Sequence, residues 1–139
     1  MESIKVKDYM VYQPTTFKAD MALSEAVSLL HKEKQIGAPV VDKDCKLVGF
    51  ISEQECLSYI LKGAYHCDLM IKVSECMRLD VLSVKENDSI LDIAELMTQD
   101  KPKILPVMDQ DGYLLGIITR KEILAALCKH LNLMEKSQL

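Results

Sequence analysis

Apolar and polar positions along the chain follow two rhythms, and the order of those rhythms occurs twice. In the first half Leu23, Ala26, Val27 and Leu30 recur at i, i+3, i+4 and i+7, the spacing of one apolar helix face. Before them stands Thr15-Thr16-Phe17-Lys18, a short extended run ending near Asp20, a helix-opening residue. After them come Pro39-Val40-Val41-Asp42 and Leu47-Val48-Gly49-Phe50-Ile51-Ser52, two β-rich runs around the turn Lys43-Asp44-Cys45-Lys46. A second helix is predicted after Ser52. In the second half Leu82-Ser83-Val84-Lys85 leads through Asn87-Asp88 to the apolar face Ile90, Ile93, Ala94, Met97. Pro106-Val107-Met108-Asp109 and Leu114-Leu115-Gly116-Ile117-Ile118-Thr119 follow, with a closing helix after Thr119. Their turn carries Asp111-Gly112, a strong hairpin signal, whereas Cys45 replaces the glycine in the first half and weakens the signal there.

The chain is thus one unit written twice. At an offset of 67 residues, Ile4–Leu61 aligns without a gap on Ile71–Cys128, with 16 of 58 positions identical. Average residue usage yields roughly 3 or 4 matches by chance. The identities include Val6 and Val73, Met10 and Met77, Pro39 and Pro106, Gly49 and Gly116, and Glu55 and Glu122. The expected partition is a first repeat over 1–62, a connection over 63–70, a second repeat over 71–128 and a C-terminal tail over 129–139. One repeat builds only a marginal core, so two repeats packed sheet to sheet are expected to bury what one cannot. The predicted fold class is α/β (α+β), two β-α-β-β-α units packed sheet to sheet. Gly49 and Gly116 have two readings: close approach of another element or ligand, or a kink in a twisted strand.

Composition narrows the function. Hydrophobic residues make up 49% and charged residues 27% of the 139, with only 5 Gly and 4 Pro, which describes a globular chain. The net charge of −4 is spread over both halves, without the basic stripe that a phosphate backbone requires. With no Trp and only 2 Phe, the chain also lacks stacking platforms for single strands. No nucleic acid is expected as a partner. No apolar run approaches the roughly 18 residues of a spanning helix, and the first residues carry no signal-peptide core, so a cytoplasmic protein without membrane association is expected. Five cysteines without a C-x-x-C pair fit neither a disulfide framework nor a zinc clip.

The pattern of Met, Thr/Ser-apolar-Lys, amphipathic helix, Pro-Val-Val/Met-Asp, turn, Leu-apolar-Gly-apolar-Ile-Ser/Thr and closing helix resembles the CBS domain. Two copies in tandem resemble a CBS pair, or Bateman module. The resemblance covers all but 62–70 and 129–139. It implies two units whose sheets pack with pseudo-two-fold symmetry, a cleft on each side, and a homodimer. It further implies regulatory binding of AMP, ADP, ATP or S-adenosylmethionine, with no required cofactor, no catalysis, and a regulated protein whose identity is unknown.

In that family the phosphate and ribose are held at Ser/Thr-x-x-Asp, opening the last helix of each unit. Here the segments are Ser52-Glu53-Gln54-Glu55 and Thr119-Arg120-Lys121-Glu122, with Glu in place of Asp. A carboxylate can accept hydrogen bonds from two vicinal ribose hydroxyls. The same spacing is also a capping box, in which hydroxyl and carboxylate satisfy backbone donors at the helix start. Arg120 and Lys121 oppose the helix dipole unless an anion sits there, while Glu53 occupies the place of Arg120 in the first repeat and would repel one. Any phosphate is therefore expected nearer Thr119 and Arg120 than Ser52. Alternatively, Arg120 and Lys121 are a solvated pair with acidic neighbours. The resemblance places adenine in an aliphatic slot between Thr16-Phe17 or Ser83-Val84 and the segment before Pro39-Val40 or Pro106-Val107, that is Ile36-Gly37-Ala38 or the bulkier Lys103-Ile104-Leu105. Gly37 and Ala38 leave room for backbone approach.

Remaining features carry less. His66-Cys67-Asp68 cannot converge on one tetrahedral ion, so no metal is expected. Cys56 and Cys128 read as small core hydrophobes, and Met97 and Met108 as core filler. No nucleophile elbow, H-E-x-x-H, P-loop or G-x-G-x-x-G occurs. The expected function is a non-catalytic adenosyl-ligand sensor acting through a homodimer. The alternatives are a constitutive interaction module without nucleotide and, more remotely, a thiol-based redox sensor.

Overall fold

A computed structural model describes residues 4–62, 71–99 and 103–136. Its strands are β1 (Val11–Tyr12), β2 (Phe17–Lys18), β3 (Gly37–Val41), β4 (Leu47–Ser52), β5 (Val84–Lys85), β6 (Ile104–Met108) and β7 (Leu114–Thr119). The helices are α1 (Leu23–Lys32), α2 (Glu53–Lys62), α3 (Ile90–Met97) and α4 (Arg120–Lys136), with single 3₁₀ turns at Val6–Asp8 and Val73–Glu75. The architecture is mixed α/β, with one sheet ordered β2-β3-β4 and another ordered β1-β7-β6-β5. β2 runs parallel to β3 and β5 to β6, while β4 returns antiparallel to β3. The predicted helix faces are the ones that pack. α1 buries Leu23, Ala26 and Leu30, and α3 buries Ile90, Ile93 and Met97.

The packing units cut across the repeat boundaries. One compact unit comprises Pro14–Val81 with Gly112–Leu114; the other comprises Met1–Gln13, Leu82–Asp111 and Leu115–Leu139. Each repeat's leading segment therefore docks on the other repeat. The same bond ties both exchanges: the Ile90 amide donates to the Ile4 carbonyl at 2.8 Å, and the Leu23 amide to the Ile71 carbonyl at 2.7 Å. Val6 and Val73, both fully buried, anchor the segments in the two cores, each burial being worth about 1.5–3 kcal/mol. β1 then pairs with β7 through Val11 and Ile117, and the bridge between Arg78 and Phe50 repeats that pairing at the equivalent positions.

Close approach, rather than a kink, accounts for the paired glycines. A Cβ on Gly49 would lie 2.5 Å from Met77 Sδ and 2.9 Å from the Arg78 carbonyl oxygen. On Gly116 it would lie 2.6 Å from Met10 Cε and collide with the Val11 carbonyl. Each glycine thus clears the backbone of the exchanged segment.

The two hairpin turns form alike despite the missing glycine. Cys45 has φ 65° and Gly112 φ 89°, a region that costs a non-glycine residue about 1–2 kcal/mol. Asp42 Oδ1 offsets this by accepting from the amides of Lys46 at 3.0 Å and Asp44 at 2.8 Å, the Lys46 amide above all holding its carboxyl below the usual range. The Leu47 amide donates to the Gly112 carbonyl at 3.1 Å and the Leu114 amide to the Cys45 carbonyl at 3.0 Å, with the Lys46 ammonium 5.3 Å from the Tyr113 ring centroid. α4 continues to Lys136, through most of the segment expected as a tail. The connection 63–70, with His66, Cys67 and Asp68, lies outside the described residues.

Candidate functional site

Strand register gathers the expected site residues into two sets, one per compact unit. In the unit containing β2, β3 and β4, Phe17 pairs with Val40, which puts Thr16 beside Pro39; Gly37 pairs with Ser52 and Ala38 with Ile51. Glu55 follows within the first turn of α2. The Glu53 amide donates to the Ile36 carbonyl at 2.8 Å, tying the start of α2 to the segment before β3. In the other unit Val84 pairs with Val107, which puts Ser83 beside Pro106. Leu105 lies on β6, β7 adjoins β6, and Thr119 ends β7 where Arg120 and Glu122 begin α4.

Most of the expected slot residues spend their side chains on the core. Phe17 and Ala38 belong to one core, Val84 and Leu105 to the other, and Pro39 and Pro106 are fully buried. What these positions offer a ligand is backbone. The room expected over Gly37 has a different cause: a Cβ there would lie 2.8 Å from Phe50 Cε1 and 3.1 Å from the Ile51 carbonyl oxygen. The Phe50 ring, not an approaching ligand, uses that space. Thr16 and Ser83 are half-buried.

Both helix starts form the capping box. Glu55 Oε1 accepts from the Ser52 amide at 2.8 Å and hydroxyl at 2.7 Å, while Ser52 Oγ accepts from the Gln54 amide at 3.2 Å. Glu122 Oε1 accepts from the Thr119 amide at 2.8 Å and hydroxyl at 2.7 Å, and Thr119 Oγ1 accepts from the Lys121 amide at 3.2 Å. One oxygen of each carboxylate is committed to the cap, leaving Oε2 as its remaining acceptor.

The two starts differ in their cations. Arg120 Nη2 donates to the Gln99 carbonyl at 3.2 Å, just beyond α3, and Lys121 is exposed. At the other start, Arg78 Nε stands 3.7 Å from Glu55 Oε2, and its guanidinium lies 5.5 Å from the Phe50 ring centroid. A cation therefore accompanies Ser52 as well as Thr119, despite the acidic Glu53 in the local sequence. Sequence reasoning missed Arg78 because it belongs to the second repeat's leading segment and reaches Glu55 only through the exchange. Its equivalent in the first repeat is Val11.

Thiols and cavities complete the picture. Cys56 is 5% exposed, and its burial, followed by the nearby Cys76, Glu55 and Glu53, pushes its thiol up to about 11. Cys128, expected in the core, is exposed, because α4 turns it to the outer face. Met97 is buried and Met108 half-buried. A cleft of about 310 Å³ is lined by Gln54, Glu55, Ser58, Tyr59, Lys62 and Glu75; Glu55 is its one member from the expected site. Among the described residues no His, Cys, Asp and Glu cluster suits a metal, and no helix is long and apolar enough to cross a membrane.

Comparison with known proteins agrees with this layout. A CBS domain model matches twice, over residues 6–62 and 73–129. The protein MJ1426 of Methanocaldococcus jannaschii is 33% identical over 156 aligned residues, covering 91% of this chain and 92% of that protein. Several other relatives are longer: the chain spans 58% of MJ1004 from the same organism and 22% of an inosine-5′-monophosphate dehydrogenase from Thermoplasma acidophilum. Among solved structures, AcuB from Vibrio cholerae superposes with a TM-score of 0.84 at 28% identity, covering 97% of this chain and 98% of that one. CBSX2 from Arabidopsis thaliana, solved in complex with AMP, gives a TM-score of 0.79 at 28% identity, covering 90% and 96%. With two matched domains that reproduce the internal duplication, this chain belongs to the CBS domain family.

Proposed function

We propose that this chain is a non-catalytic regulatory module that binds an adenosine nucleotide, with AMP the first candidate, and signals from a homodimer in the cytoplasm. The observation that carries the reading is the likeness to CBSX2, whose structure holds AMP. The site geometry supports it. Each helix start presents a hydroxyl, a carboxylate with one oxygen outside the cap and a nearby guanidinium, beside strand backbone from β2 and β3 or β5 and β6; at the Ser52 start that oxygen faces Arg78. Such a set can hold a ribose diol and a phosphate. Self-association is supported by apolar side chains left outside on the closing helices: Leu57 of α2 and its equivalent Leu124 of α4 are 59% and 60% exposed, and Leu61 and Leu131 on the same two helices 73% and 54%.

One observation favours a second reading, a constitutive interaction module without ligand: both glutamates already serve as helix caps. A thermal-shift panel of AMP, ADP, ATP, S-adenosylmethionine and NADH separates the two. A ligand at 100 times its Kd adds about 2.7 kcal/mol, which for a chain of this length raises Tm by about 6 to 12 °C. A shift with an adenosine nucleotide is the expected result. A flat panel at millimolar ligand overturns the nucleotide reading and leaves the interaction module.

A further inference from the structure

The two helix starts are equivalent in sequence spacing and in capping, yet their carboxylates are not equally available. Glu55 Oε1 is held by the Ser52 amide and hydroxyl, and Glu55 Oε2 faces the Arg78 guanidinium at 3.7 Å. Glu122 Oε1 is held in the same way by Thr119, but Glu122 Oε2 has no ion-pair partner among the described residues. The reason is one substitution between the repeats, since Val11 stands where Arg78 does. Arg78 is also fixed in place. Its backbone exchanges two hydrogen bonds with Phe50, at 2.8 and 3.0 Å, and its guanidinium rests over the Phe50 ring. Phe50 in turn fills the space over Gly37.

We infer that Arg78 is an autoinhibitory contact at the Ser52 start: it occupies the only carboxylate oxygen of Glu55 that the helix cap leaves for a ribose, so nucleoside binding there must first displace it. This rests on the nucleotide reading above. The consequence is that the Thr119 start binds a nucleoside more readily than the Ser52 start. A second consequence follows from the exchange. Arg78 is part of the segment that the second repeat lends to the first, so occupancy at Ser52 loosens the docking of that segment, whereas occupancy at Thr119 does not act on Val11 in this way.

Adenosine is the discriminating probe, because without a phosphate it gains nothing from the positive charge of Arg78. Amide NMR titrations with AMP and adenosine read the two starts separately through Gln54 and Lys121, one in the first turn of each helix. In the wild-type protein the Lys121 curve is expected to saturate at lower adenosine than the Gln54 curve. Arg78→Val should tighten the Gln54 curve about 2- to 5-fold, the range of an exposed ion pair, and leave the Lys121 curve unchanged. The converse Val11→Arg, at an exposed edge position, should weaken the Lys121 curve by a similar factor. An unchanged Gln54 curve in Arg78→Val, with adenosine still binding, overturns the inference, and a weakened one makes Arg78 a ligand contact instead. If AMP moves neither resonance in any of the three proteins, the nucleotide reading itself falls, and this inference with it.

Discussion

Cys56 shows how burial decides what a residue can do. The side chain sits at 5% exposure among Phe17, Leu23 and Val73, and a thiolate there would lose its hydration. Its pKa is raised from 9.0 to about 11, first by burial and then by Cys76, Glu55 and Glu53. The folded state therefore binds this proton more tightly than the unfolded chain does. Its contribution to stability is complete below pH 9 and is lost as pH rises through about 11. At pH 7.5 an alkylating reagent, followed by peptide mapping, should label the exposed Cys45 and Cys128 well before Cys56. Equal labelling of Cys56 would mean that its site opens readily. The local sequence showed Cys56 as apolar-flanked and helical, but showed Cys128 the same way. Only the packed faces of α2 and α4 separate the two.

At the scale of elements, the repeated Leu-apolar-Gly-apolar-Ile motif reads as a strand from sequence alone, and it is one in both copies. The role of its glycine does not, because what a Cβ would strike belongs to a segment distant in sequence. At Gly116 the obstacle includes the Val11 carbonyl, which β1 fixes by pairing with β7. Backbone cannot step aside as a methionine side chain can. Gly116→Ala should therefore cost about 1–3 kcal/mol, read as a lower urea midpoint with the m-value retained. A cost near zero would show that β1 can leave β7 freely. The capping boxes were legible as Ser/Thr-x-x-Glu, and both formed, because every contact they need lies within four residues. Arg78 was not legible, because its contact with Glu55 spans 23 residues and two repeats.

For the whole molecule, the apolar positions that the fold leaves outside matter most. Leu57 of α2 and Leu124 of α4 occupy equivalent positions 67 apart and are 59% and 60% exposed. Large apolar side chains at matching places on both closing helices suit an isologous contact between copies of the chain. The double substitution Leu57→Lys and Leu124→Lys should shift a light-scattering mass from dimer to monomer with the far-UV spectrum unchanged. A wild-type protein that is already monomeric at high micromolar concentration removes the homodimer from the proposal.

The sequence by itself determined the repeated strands and helices, the duplication, the faces that pack and the residues that begin each closing helix, because periodicity, turn chemistry and capping act over one to seven residues. It did not show β1, which exists only by pairing with β7, or the run of α4 to Lys136. The tertiary structure alone decided which repeat each leading segment joins. Ile4 and Ile71, Val6 and Val73 offer the same side chains to the same kind of groove, so the local pattern is equally satisfied by docking at home or by exchange. From that one choice follow the clearance at Gly49 and Gly116, the meeting of Arg78 with Glu55, and the inequality of the two helix starts.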